Sequence, residues 1–456
     1  MEDGCSWVME MEKMERETDA AAEMALWSKH SIYKVPEWIN GVTRRRAYVP
    51  FLVSLGPFHH GDAALAPMEP HKRRAMLHMA KRSGKPVRAF VAAVEAVAQR
   101  LEDAYEDIGE EWRAGSGGGG RAVTARFVQV MVTDGCFVVE LMRMNKLGGM
   151  LRGDYPTNDP VFSEHGYLYL MEVMRSDVLL MENQLPLLLL QRLLAVQHGT
   201  TPKNPKSIIA QLMGLLTSAR REEALTGESH LSVGERGEER LTGVTLGLHP
   251  LDIFHKSFCG VGQDYTWTQR QEVFMPSAVQ LHEARVHFEL RKSNGDNLQG
   301  VQFERGVLTM PAISVDNSSE KLLLNLMALE QLHPEAGNNV TAFVFFMDNI
   351  VDTAEDVALL KSRHILRSAL GSDEEVAKLF NNTINKVAVM GLSSRLNNLY
   401  RQVNAHCSKP WNRWWASLLH TYFSNPWVFI SLLVAFILLV ATLMQTICSV
   451  MSLYKR

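Results

Sequence analysis

The sequence predicts a mainly α-helical protein: a helical bundle with a small antiparallel β element and one C-terminal transmembrane helix. Apolar residues make up 46% of the 456 residues and charged residues 21%, which supports a packed core and excludes global disorder. Apolar positions recur mostly at helical spacing, and one stretch near the C-terminus is long and uncharged. These observations predict one large helical domain followed by a membrane helix.

Helical periodicity is clearest in two central regions. Residues 124–144 place apolar side chains at helical offsets, with Gly135 as a candidate break. Residues 174–196 are rich in leucine, but the polar residues and proline within them exclude a membrane span and predict a kinked, buried helix pair. Capping sequences that begin at Thr353 and Ser372 predict two further helix starts.

A different pattern marks the predicted β element. Residues 286–290, 301–303 and 307–310 carry short alternating or β-branched patterns. Asn294-Gly295 and Arg305-Gly306 supply turn residues between them. We therefore expect a small antiparallel sheet beside the helical bundle.

Changes in composition predict the domain boundaries. Residues 1–30 are charged and rich in Met and Ala, and we interpret them as an N-terminal extension. Residues 31–408 form the predicted helical domain. Within it, a glycine-rich stretch near 114–121 and a polar stretch near 220–240 are expected to be flexible insertions.

Residues 426–451 are predicted to form the transmembrane helix. From residue 428 to 451 the sequence carries no charge, and about 20 such residues cross the hydrocarbon core of a bilayer. The alternative is a buried core helix, which the length disfavours. A short tail, residues 452–456, ends with two basic side chains that can extend to the lipid headgroups.

Residues 409–425 are predicted to form an amphipathic helix in the headgroup layer, with docking on the soluble domain as the alternative. The apolar side chains recur at offsets of 3, 4, 7, 8, 11 and 12, and aromatic rings are typical of the membrane–water boundary. The predicted membrane-interface residues are Trp411, Trp414, Trp415, Leu418, Leu419, Tyr422, Phe423 and Trp427.

The expected location is a plasma membrane or endomembrane, with the large domain in the cytosol and the lipid bilayer as one partner. This follows because no apolar secretory signal is visible near the N-terminus. Glycosylation sequons at Asn317, Asn339 and Asn381 leave a lumenal orientation open. A net charge of −3 argues against nucleic acid as a partner.

No complete catalytic or metal-binding motif occurs, so we predict no catalytic residues and no cofactor. His282-Glu283 and His287 resemble a zinc-protease helix, but the histidines are five positions apart where zinc needs four. The five cysteines lack ligand spacing, which disfavours a disulfide scaffold or zinc ribbon.

Weaker candidates for chemistry remain in two places. His59, His60 and His71, near Glu69, are candidate metal ligands, although a polar turn whose histidines bond to the backbone is the favoured interpretation. Carboxylates of the central helices would form a site if they converge, but such residues more often satisfy helix ends and amides.

Seven sequence blocks, in order, resemble a plant family. They are IYKVP (32–36), YVPFLVSLGPFHHG (48–61), MEPHK (68–72), DGCFVVEL (134–141), DVLLMENQLP (177–186), MPSAVQL (275–281) and YFSNPW (422–427). On these blocks the chain is identified as a member of the family called domain of unknown function 247. The polar residues of the motifs are Asp134, Glu140, Asp177, Glu182, Asn183 and Gln184.

The resemblance implies a helical fold with a C-terminal membrane span and no known catalytic residues or cofactor. Some grass members are associated with self-recognition between pollen and stigma, which implies recognition rather than catalysis. We therefore expect a membrane-anchored protein that binds an unidentified protein partner in recognition or signalling. The alternative is an unrecognised metal-dependent or hydrolytic enzyme that uses a cluster of histidines and carboxylates.

Overall fold

The computed structural model describes most of the chain as helices, with two small sheets in the described part. The described residues are 6–17, 19, 24, 27, 29–41, 45–112, 125–151, 153–199, 205–217, 248–259, 275–291, 300–384, 394–409 and 426–454. The predicted insertions near 114–121 and 220–240 lie outside these ranges. The predicted interfacial helix also lies outside them, apart from residue 409.

Helices with short connections build the N-terminal half of the described chain. Gly84 and Gly199 adopt φ values of 65° and 70° and end two of these helices in left-handed caps. Ser163 caps a third helix by accepting a hydrogen bond from the Gly166 amide. The helices are α1 (Ser6–Glu17), α2 (Glu37–Asn40), α3 (Glu69–Ser83), α4 (Val87–Glu95), α5 (Ala98–Glu102), α6 (Ala125–Lys146), α7 (Glu164–Val178), α8 (Leu187–His198) and α9 (Pro205–Leu216).

Helix α6 is the centre of this half and packs against α3, α4, α8 and α9. It is continuous, so the break expected at Gly135 is wrong. The glycine instead permits close approach of α8, because a β-carbon at Gly135 would lie 2.4 Å from Cδ1 of Leu193 and 3.0 Å from Cδ2 of Leu189.

The kinked helix pair predicted at 174–196 is confirmed. Helix α7 ends at Val178, a 3₁₀ turn covers Met181–Asn183, and α8 begins at Leu187. The two helical segments meet at 108°. Their facing side chains belong to the hydrophobic core, which makes the pair a buried corner of the bundle.

Helices and short strands alternate in the C-terminal half. In chain order the elements are α10 (Pro250–Cys259), α11 (Ala278–Glu283), β1 (His287–Leu290), β2 (Gln302–Glu304), β3 (Val307–Met310), β4 (Ile313–Val315), α12 (Ser319–Leu332), α13 (Asn339–Ile350), α14 (Ala354–Ser362), β5 (Leu366–Ser368), α15 (Asp373–Lys378) and α16 (Ser394–Cys407). The predicted caps are confirmed: Thr353 begins α14 in a capping box with Asp356, and Ser372 caps α15.

The sheets contain the expected antiparallel pairing together with parallel pairings that were not predicted. Strands β2 and β3 form a hairpin in which Phe303 faces Leu308. Its two-residue turn, Arg305-Gly306, has positive φ at both positions, as a type I′ turn requires. Strand β1 pairs with β3 in parallel, and β4 pairs with β5 in parallel. Local patterns do not reveal these pairings, because the direction of pairing is set by how the chain returns between the strands.

The last described element is α17 (Pro426–Tyr454), whose described side chains are exposed. It contains 29 residues, about 43 Å of helix at 1.5 Å per residue. Its segment Leu433–Met451 has a mean hydropathy of 2.3, and none of it is buried against the rest of the protein. This helix is therefore long and apolar enough to cross a membrane.

Candidate functional site

An irregular segment of chain, residues 51–56, is bound by motif side chains from distant parts of the sequence. Asp177, at the end of α7, accepts hydrogen bonds from the amides of Phe51, Leu52 and Val53 at 2.8, 2.7 and 3.0 Å. These amides do not pair with a strand, so the Asp177 carboxylate takes the place that carbonyl oxygens of a neighbouring strand would have.

Two further motif residues continue this arrangement. Asn183 accepts from the Leu55 amide at 2.6 Å and donates to the Val53 carbonyl at 3.0 Å. Asp134, on α6, accepts from the Gly56 amide at 2.9 Å. We call Asp134, Asp177 and Asn183, with residues 51–56, the segment clamp.

A buried lysine offsets the charge of Asp134 in the segment clamp. Lys72 Nζ, on α3, lies 2.9 Å from Asp134 Oδ1, 2.6 Å from Glu69 Oε1 and 3.0 Å from Ser54 Oγ, so all three of its donors are used. Burial raises the pKa of Asp134 to about 6, although Lys72 opposes the shift. Burial alone would lower the pKa of Lys72, but Asp134 and Glu69 outweigh it and the pKa lies above its ordinary value.

Gln184 connects the kinked pair to α10. Its Nε2 donates to the carbonyls of Val178 and Leu180 at 2.7 and 2.6 Å, and its Oε1 accepts from the Leu251 amide at 2.9 Å. Because every polar atom of the Gln184 side chain is used within the protein, the residue holds the corner between α7 and α8 in place.

His249 is a neutral buried histidine beside this corner. Its Nε2 lies 2.9 Å from the Ser31 carbonyl, which can only accept, so we assign the proton to Nε2. Nδ1 then accepts from the Asp252 amide at 3.2 Å and lies 3.2 Å from Gln184 Oε1, to which it donates no hydrogen bond in this tautomer. Burial lowers the pKa of His249 to about 4, although Asp252 opposes the shift.

The predicted histidine ligands do not come together in the structure. His59 Nε2 lies 3.3 Å from Glu182, His60 packs its ring on Trp112, and His71 Nδ1 lies 3.0 Å from an Arg74 nitrogen. Among the described residues, none of these three histidines belongs to a group of three or more side chains able to hold a metal ion.

Two of the predicted carboxylates lie outside the segment clamp. Glu182 accepts a hydrogen bond of 2.8 Å from the Val35 amide, in the first motif block. Glu140, further along α6, pairs with Arg82 at 2.6 and 3.2 Å and with Arg143 at 2.8 Å. The polar motif residues therefore contact main chain or basic side chains.

A second polar cluster was not predicted from the sequence. His255 and Cys259 lie one turn apart on α10, with 3.4 Å between Cys259 Sγ and His255 Nε2. Glu330, on α12, brings Oε1 to 2.9 Å from the same nitrogen. Burial raises the pKa of the Cys259 thiol well above its ordinary value, and Glu330 adds to the shift. The four-residue spacing of His255 and Cys259 could have indicated a pair of metal ligands in the sequence. No local sequence pattern, however, links this pair to Glu330.

The predicted membrane-interface residues lie outside the described residues, except Trp427, which is part of α17. The spacing of His282 and His287 argues against a zinc-protease pair, and the structure places His282 on α11 and His287 on β1.

Fold and sites together define a mainly helical protein whose polar motifs organise its own backbone and whose C-terminal helix has the length and apolarity of a membrane span. A family model described as plant protein of unknown function matches residues 32–441. The chain therefore belongs to this plant family, domain of unknown function 247, as the motifs indicated.

Two relatives from Arabidopsis thaliana are similar to the chain. UPF0481 protein At3g47200 is 26% identical over 451 residues, which covers 92% of this chain and 86% of the relative. Putative UPF0481 protein At3g02645 is 28% identical over 188 residues, which covers 41% of this chain and 35% of that protein. No solved structure matches the chain.

Proposed function

We propose that the chain is a membrane-anchored protein that binds another protein in recognition or signalling, and that α17 is its single anchor. The observation that carries the proposal is the exposure of α17. Leu439 and Leu443, near the middle of its apolar segment, are 59% and 55% exposed. In water, a helix with this much apolar surface is unfavourable, whereas a bilayer removes the surface from water.

The polar motifs support a binding role over the alternative of an enzyme. Asp134 and Asp177 are 1% and 0% exposed, and their oxygens already accept hydrogen bonds from main-chain amides. A catalytic carboxylate must reach its substrate, and these two are closed off by the protein. Their position suits a rigid scaffold that presents an outer surface to a partner.

Fractionation of full-length variants tests the anchor. We expect the wild-type chain to pellet with membranes, to resist carbonate extraction and to dissolve in detergent. The double variant Leu439→Arg with Leu443→Arg should shift to the supernatant, because each arginine near the bilayer centre costs about 2.5–3.5 kcal/mol. The matched control, Leu439→Ala with Leu443→Ala, should stay in the pellet.

Wild-type protein that remains folded in the supernatant without detergent would overturn the anchor. Recovery of the arginine variant in the carbonate-resistant pellet would also contradict it. Protease protection of intact membranes then tests the proposed cytosolic orientation, in which the large domain is digested without detergent.

Proximity labelling in plant tissue tests the binding role. A labelling enzyme fused to the full chain should mark proteins that the same enzyme fused to residues 410–456 does not mark. If the two sets of neighbours are the same, the helical domain contributes no partner and the recognition proposal fails, although the anchor would still stand.

A further inference from the structure

The His255, Cys259 and Glu330 cluster has no part in the anchor or in the segment clamp. Its ligand atoms all lie within 4.8 Å of one another, and all three residues are buried. His255 and Cys259 share one face of α10, since residues four apart on a helix lie one above the other. Glu330 approaches that face from α12.

The distance from Cys259 to His255 fits an edge of a tetrahedral zinc site, and the distance from His255 to Glu330 is somewhat shorter than such an edge. With Zn–S near 2.3 Å and Zn–N or Zn–O near 2.0–2.1 Å, neighbouring ligand atoms are separated by about 3.3–3.6 Å. Cys259 Sγ lies 3.4 Å from His255 Nε2, and Glu330 Oε1 lies 2.9 Å from it. A shift of a few tenths of an ångström would open the cluster around an ion.

The Glu330 carboxylate is already oriented for this role. Its oxygens accept hydrogen bonds from the Val340 amide at 2.7 Å, the Thr341 amide at 2.8 Å and the Thr341 hydroxyl at 2.7 Å. A carboxylate has about four lone-pair sites, so these three bonds leave one directed at the cluster. Hydrogen bonds of this kind fix the direction of a ligand in metal sites.

Charge supports a divalent ion at this place. A thiolate, a carboxylate and Zn²⁺ sum to zero, so the loaded cluster carries no net charge into the dry interior. Without an ion, His255 Nε2 is crowded by both other side chains.

We propose that His255, Cys259 and Glu330 bind one zinc ion that joins α10 to α12. Cysteine, histidine and carboxylate are the side chains that zinc uses in proteins. The burial of all three residues places the uptake of the ion during folding, before the cluster closes.

Metal analysis of the full-length chain, purified in detergent and desalted, tests the proposal. We expect about one zinc per folded wild-type chain, and less than about a third of that in Cys259→Ser and in His255→Ala. The matched control is Cys136→Ser, because Cys136 is an equally buried thiol on α6, and this variant should keep its zinc.

Folded wild-type protein with less than about a tenth of a zinc per chain would overturn the site. Full zinc in both Cys259→Ser and His255→Ala would place the ion elsewhere and would also overturn it. If these variants do not fold, X-ray absorption of the wild type decides: one sulfur at about 2.3 Å supports the site, and a shell without sulfur refutes it.

Discussion

Asp177 shows how one buried side chain can organise a segment that is distant in sequence. Its two oxygens bind three consecutive amides, and its exposed fraction is 0%. Hydrogen bonds to a charged group are stronger than neutral ones, and leaving buried amides unpaired is costly. We therefore assign Asp177 to the stability of the fold.

Asp177→Asn should lower the free energy of unfolding by about 2–4 kcal/mol, because one acceptor oxygen becomes an NH₂ group that faces amide donors. Thermal or denaturant unfolding of the full-length chain in detergent measures this loss. Glu172→Gln, a half-exposed carboxylate on the same helix, should cost less than about 0.5 kcal/mol. Equal stability of the two variants would contradict the assignment.

His249 should make the fold sensitive to acid. Burial lowers its pKa from 6.5 to about 4, so the unfolded state binds a proton at a pH where the folded state does not. The contribution of His249 to stability is therefore full above pH 6.5 and is lost as the pH falls towards 4, by about 3 kcal/mol in total.

His249→Gln removes this titration while keeping a polar side chain. Unfolding curves measured between pH 4 and 7 should have a shallower pH dependence in the variant than in the wild type. The same slope in both proteins would mean that other histidines with lowered pKa values, such as His333, account for the acid sensitivity.

At the scale of elements, the contact between α6 and α8 depends on a missing side chain. Gly135→Ala should destabilise the protein by about 1–3 kcal/mol, because the new β-carbon overlaps Leu193. Leu193→Ala leaves a cavity and should also destabilise. The double variant should lose less than the sum of the two single variants, since the methyl group then occupies the vacated space. Strict additivity in this cycle would show that the steric contact is absent.

Local rules predicted the helices, the kinked pair and the caps at Thr353 and Ser372, because periodicity and capping depend on neighbours in sequence. They failed at Gly135, where a residue that weakens an isolated helix is required by the packing of α8. The hydrogen-bond partners of the motif side chains could also not be predicted from the sequence. Asp177 and the amides it binds are separated by more than 120 residues, and no short pattern records such a pairing.

At the scale of the whole molecule, side chains from both halves of the chain are interleaved. Asn325 on α12 accepts from the Met181 amide at 2.8 Å and donates to the Ala47 carbonyl at 2.9 Å. His249 contacts the carbonyl of Ser31. These bonds support the prediction that residues 31–408 fold as one domain.

Expressing two parts of the chain separately tests whether residues 31–408 fold as one domain. Residues 1–230 and 231–456 should each be insoluble or unfolded when expressed alone, because the buried polar groups of one part have their partners in the other. Co-expressed, they should purify together in detergent and unfold in one transition. Independent, cooperative unfolding of either part would show two domains.

The segment clamp also determines when the N-terminal part of the chain can finish folding. Asp177 is synthesised 124–126 residues after the amides that it binds, and Asn325 follows Ala47 by 278 residues. At about 5–20 residues per second, translation reaches Asp177 roughly 6–25 seconds after it has passed the amides. Throughout that interval the amides of Phe51, Leu52 and Val53 have no Asp177 carboxylate to bind, so this part of the polypeptide cannot yet form its final hydrogen bonds.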